Sequence, residues 1–163
     1  MSTPIERILC PKGARAMGTM VHLKDLRREK QMKYEKSMLK EISIKEIKKS
    51  ISLHFTPFFH YGLLSRWSIE EGCADFALEA FLMGAKYSKF GFKGESLEDV
   101  QSRSGKEEKR LTADFYDYLI NWGCPNESSI CHESLFLAAE CLMQQWWKEG
   151  FERGQKRYKL RLN

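Results

Sequence analysis

Glu71, Asp75 and Glu79 recur at four-residue intervals. On a helix that spacing sets three carboxylates along one face. Such a strip can be part of a metal site, dock a basic partner, be a solvated face, or be covered by the chain's own basic arm. Each like-charge pair costs about 0.2–0.5 kcal/mol, so a compensating charge is expected nearby. A second cluster, Cys124 with Cys131-His132, offers two thiolates and an imidazole. Structural zinc takes closely spaced ligand pairs, and these cysteines have six residues between them with no matching second pair. A carboxylate-bridged metal bundle needs Glu three residues before His; none of His22, His54, His60 or His132 has it. Adjacent Cys131 and His132 diverge by about 100° on a helix, so adjacency makes no catalytic dyad. Neither a phosphate-binding G-x-x-x-x-G-K-[ST] loop nor a G-x-S-x-G elbow occurs. No catalytic residue, metal ligand or cofactor is assigned, and an enzyme is the third-ranked reading.

The chain's charge is unevenly spread. Lys24–Lys49 carries ten basic and five acidic residues, and residues 146–163 carry six and two. Residues 51–145 hold eight basic and fourteen acidic. Basic ends around an acidic middle point to self-docking or to a charged partner. Lys33 and Lys40 stand for the basic segment, which could also contact phosphates. Asp25, Glu29, Glu35, Glu41 and Glu46 interrupt it, so nucleic-acid binding through residues 24–49 ranks second.

The elements that position these groups are helical throughout. Leu23, Leu26, Tyr34, Met38 and Ile42 predict a first helix over 21–41. Ser43 and Glu46 form a capping box opening a second helix to about His54, with Ile44, Ile47 and Ile51 on one face. Thr56-Pro57 reads as the start of a short third helix, 58–66. Ser68 and Glu71 form another box, opening a central helix over 69–89 whose stripe is Ile69, Cys73, Phe76, Ala80, Met83 and Tyr87. Gly91 and Gly94 read as a turn. Ser96 caps a short helix to Gln101, and Ser104 opens another to Trp122, burying Leu111, Phe115, Tyr118 and Trp122. Gly123 and Pro125 end it. A last helix runs from about Ile130 to Leu160. Its Met143, Trp147, Gly150 and Gly154 share a stripe, with Trp146 alongside. Interior glycines cost about 1 kcal/mol each, so a close approach by another element is expected there, either internal or a partner's.

The expected fold is all-α, a bundle of five to seven helices with a long basic N-terminal helix and a long C-terminal one. Residues 1–20 read as a disordered tail and 21–163 as one helical domain. Met17 and Met20, just ahead of the periodic pattern, are alternative starts. Five cysteines, with Cys73 and Cys141 on apolar faces, suggest reduced thiols and a cytoplasmic location. No apolar run approaches the roughly 18 residues of a membrane span.

Arg28-Glu-Lys-Gln-Met-Lys-Tyr-Glu35, Glu70-Glu-Gly-Cys73, Phe81-Leu-Met-Gly84 and Phe90-Gly-Phe-Lys-Gly-Glu95 together resemble a family of uncharacterised small cytosolic proteins of Bacillus and related spore-forming bacteria. The resemblance spans about residues 24–160. It implies a Firmicute source and carries no activity or site residue with it. The leading expectation is a non-enzymatic protein-binding or regulatory module. Its candidate surface comprises Glu71, Asp75, Glu79, Trp146, Trp147, Gly150, Gly154, Lys33 and Lys40, and its partner is another protein.

Overall fold

The computed structural model describes residues 14–124 and 132–161. Residues 1–13, 125–131 and 162–163 lie outside them. Among the described residues the protein is all-α. Five helices run Ala14–Leu39 (α1), Ile44–His60 (α2), Arg66–Phe92 (α3), Leu97–Tyr118 (α4) and His132–Arg161 (α5). A π-helical turn, Leu119–Gly123, extends α4. The chain divides into two compact units between Lys36 and Ser37.

In the first unit, α1 begins ahead of the expected Val21. It is polar nearly all round. Gln31 donates to Glu35 one turn on, at 2.8 Å.

The second unit is built on α3 and α5, the most extensively packed pair; α3 also meets α4 and α2. An α-carbon substituent at Gly150 would lie 1.9 Å from the Phe81 carbonyl oxygen, and one at Gly84 would lie 1.9 Å from that of Trp147. The two glycines are reciprocal, each letting the opposite backbone in. Around this crossing Trp147 stacks on Phe151 at 5.3 Å, and Val100, Met83 and Leu97 close the cluster. At the other end, Phe55 of α2 meets Phe115 of α4 edge-on at 6.0 Å.

The boundaries depart from expectation where a local signal is overruled. The Ser43 box forms as read, with Lys45 N–H donating to the Ser43 hydroxyl and Ser43 N–H to Glu46. Pro57, however, opens no new helix; it lies inside α2. The carbonyl it deprives of a donor belongs to Leu53, which is exposed and open to hydration. α2 ends instead at Gly62, with φ 67°, where Leu63 N–H reaches the Phe58 carbonyl at 2.9 Å and Gly62 N–H that of Phe59 at 3.2 Å. The Ser68 box does not form, because α3 has already begun at Arg66; Ser68 Oγ donates to Ser65 Oγ. α3 runs through the expected Gly91 turn and stops at Gly94, φ 101°, by the same pair of bonds. Gly91 is helical and admits Phe151 and Gln155. Ser96 caps α4, but Ser104 does not interrupt it: its hydroxyl is buried and bonds the Gln101 carbonyl at 3.1 Å.

Three burial expectations also change. The buried stripe of α3 is Ile69, Cys73, Ala77, Ala80, Gly84 and Ser88, displaced from the expected line so that Phe76, Met83 and Tyr87 are half-buried. Trp122 is 70% exposed, not buried. The π-turn inserts the equivalent of one residue and rotates everything after Tyr118. Gly123 is then brought against Ile69 and Leu64, a close contact and not a left-handed stop. Cys141 is exposed on α5.

Candidate protein-binding groove

Within α3, Trp67, Ala74 and Leu78 follow each other by seven and four residues and share one face. Glu70 borders that face on one side, and Glu71 and Asp75 on the other. The start of α2 lies alongside and adds Ile44, Ile47 and Lys48. Together they line a groove of about 450 Å³. Two of its apolar residues are unusually open: Trp67 is 96% exposed and Ile44 68%. Exposed large apolar side chains clustered in a groove and rimmed by charge are characteristic of a protein-binding surface.

The carboxylates differ in their partners. Lys48 pairs with Glu70 at 3.2 Å. Among the described residues no salt bridge reaches Glu71, Asp75 or Glu79, and all three are exposed. Glu79 continues the strip into a cleft between α3 and α4. There Glu107 accepts from Tyr87 Oη at 2.9 Å and Lys86 Nζ at 3.2 Å. Partial burial works against the Glu107 carboxylate, but those two donors outweigh it and hold its pKa below the usual value.

The other expected site residues fall elsewhere. Trp146, Trp147, Gly150 and Gly154 are buried. At Trp146, Trp147 and Gly150 the stripe packs against α3 of the same chain, along Gly84 and Phe81. Trp146 Nε1 donates to Ser50 Oγ at 3.2 Å, and Ser50 donates to Gln145 Oε1 at 3.1 Å. His54 Nε2 lies 2.7 Å from the same oxygen, completing a polar tie between α2 and α5 that the sequence did not reveal. Lys33 and Lys40 are exposed. Cys124 donates to the Leu119 carbonyl at 3.5 Å, and His132 Nδ1 lies 2.8 Å from Tyr116 Oη. Among the described residues no three His, Cys, Asp or Glu side chains converge as a metal site. Nor, among them, is any helix long and apolar enough to cross a membrane.

A separate ionic cluster joins the two basic segments. Arg157 pairs with Glu41 at 2.6 Å; Arg153 pairs with Glu149 at 2.6 Å and Glu46 at 3.5 Å and donates to the Glu41 carbonyl. Burial opposes the Arg153 charge, but Glu149 and Glu46 override it and raise its pKa. The corner between α1 and α2 is thereby fastened to α5.

Trp67 was missed because the expected helix began after it, which left it off any face. Ile44 was legible only as sharing one face of its helix with Ile47 and Ile51, both of which are buried while it is exposed. The seven-and-four spacing of Trp67, Ala74 and Leu78 was the available signal.

A family described as "Protein of unknown function (DUF2521)" matches residues 17–163. The chain is 36% identical over 146 residues to "Uncharacterized protein YbaK" of Bacillus subtilis (strain 168), covering 90% of this chain and 99% of that protein. No solved structure matches.

Proposed function

This chain belongs to the DUF2521 family, and on that premise we propose that it is a non-enzymatic module that binds another protein through the α2–α3 groove. The observation that carries this reading is Trp67, an indole 96% exposed at the rim of an apolar floor. A Trp gains most of its interface energy only when a partner desolvates it. Ile47 and Leu78 supply the floor, and Glu71 and Asp75 supply an anionic border that selects a basic counterpart.

The reading is tested by crosslinking the full-length protein in nuclease-treated Bacillus extract, with Trp67→Ala in parallel. Truncating an interface Trp that a partner desolvates costs about 2 kcal/mol or more, so recovery of the specific partner falls by roughly tenfold or more. The variant retains its thermal unfolding, because an exposed indole contributes little to the core. Equal recovery by both proteins removes the groove from the proposal.

The runner-up is phosphate binding through α1, which carries Arg27, Lys30 and Lys33 on one face. It predicts submicromolar duplex binding that survives at about 200 mM salt and is lost in Lys33→Glu with Lys40→Glu. That result would replace the protein-binding reading.

A further inference from the structure

At about 100° per residue, Leu23, Leu26, Arg27, Lys30 and Lys33 fall on a single face of α1. Asp25, Glu29 and Glu35 all lie about 95° or more from the centre of that face. The interruptions that divide the basic run in sequence therefore do not divide it in space. What remains is a helix face with two apolar residues at one end and three cations beyond them. All five side chains are at the surface.

The groove is the complement of this face. Trp67, Ala74 and Leu78 offer an apolar line, and Glu71 and Asp75, which no salt bridge reaches among the described residues, lie along its border. Lengths agree as well. Leu23 to Lys33 covers about 15 Å of helix, and Trp67 to Leu78 about 16 Å.

We propose that the α2–α3 groove receives α1 of a second copy of this chain, so that two copies pair by reciprocal exchange of their basic helices. This rests on the groove being a protein-binding surface, and it names the occupant. The pairing is isologous: each copy gives one helix and takes one. Each contact sets Arg27, Lys30 and Lys33 along Glu71 and Asp75 and covers Trp67 with Leu23 and Leu26. The charge complementarity found within one sequence is then satisfied between two molecules.

The experiment measures the mass of the full chain in solution across a concentration series, at about 50 and 300 mM salt. Two charge-reversed full-length variants accompany it: Glu71→Lys with Asp75→Lys, and Lys30→Glu with Lys33→Glu. Circular dichroism verifies that each keeps its helicity. The expected result is a dimer that weakens with salt. Each variant alone loses at least roughly tenfold in dimer affinity, because like charges then face each other. Mixing the two variants restores a dimer, since acidic helix meets basic groove in one contact and the native pair forms in the other. A misfolded variant cannot give that rescue. A wild-type monomer at about 100 µM, above the micromolar range of weak specific pairs, overturns the proposal. So does a dimer indifferent to both reversals, or a mixture that fails to pair. A monomer whose extract partner is still lost in Trp67→Ala overturns the second copy as occupant and leaves the groove's protein-binding reading intact.

Discussion

Cys73 and Cys141 look alike in the sequence, each a thiol among apolar neighbours at helical spacing, yet they differ in reactivity. Cys73 is fully buried; burial first, and Glu70 second, push its thiol up to about 12. Cys141 faces solvent. Brief treatment with iodoacetamide at neutral pH, read by peptide mapping, therefore modifies Cys141 and spares Cys73 until the protein is unfolded. The same displacement sets a pH dependence. The fold favours the protonated thiol, so its contribution is complete below 9.0 and is lost as pH rises towards about 12. Tyr118 acts in the same direction, its phenol raised by burial and by neighbouring Cys73 and Asp75. Urea midpoints are expected to fall across that alkaline window, and Cys73→Ala to flatten part of the decline. Glycines also separate at this scale. A side chain at Gly105 meets nothing within 4 Å, so Gly105→Ala stabilises by about 0.5–1 kcal/mol through helix propensity and unfolded-state entropy. Urea unfolding measures it directly.

Among the helices, what sequence reveals depends on whether a signal is used locally. The Ser43 and Ser96 caps were legible because those hydroxyls bond within their own turn. The Ser68 and Ser104 signals misled because both hydroxyls serve a helix that is already running. Pro57 misled because an exposed carbonyl tolerates the missing donor. The π-turn at Leu119–Gly123 has no short-range signature; it follows from packing Gly123 on Ile69 and Leu64, so Trp122 could not be placed from periodicity. The acidic strip was legible as a face, but the groove was not, since it needs α2 beside α3 and a helix start that includes Trp67. The α3–α5 crossing yields the sharpest expectation. Gly150→Ala drives a methyl into the Phe81 backbone, and no rotamer can relieve it. The loss is expected at about 2 kcal/mol or more, with the opposite sign to Gly105→Ala, in the same urea assay.

At the scale of the whole molecule, the buried hydrophobic residues among those described lie in one unit. Among the described side chains none that is fully buried precedes Met38. A chain lacking residues 1–36 is therefore expected to unfold cooperatively, with Tm shifted by no more than about 4 °C in differential scanning calorimetry. The uneven charge that marks the sequence is partly settled inside this unit, where Arg153 and Arg157 of one basic segment meet Glu41 and Glu46 of the other. These pairs are part-exposed and weaken with salt.

The reciprocal glycines of α3 and α5 bear on how this molecule can move. Where backbone rests on backbone, no side chain can turn aside to let one helix glide past the other. A shift of one turn would carry Phe81 or Trp147 into a gap that holds no side chain at all. The pair behaves as a fixed axle. The α1–α2 corner, by contrast, is held to α5 by ion pairs, a restraint that ionic strength loosens.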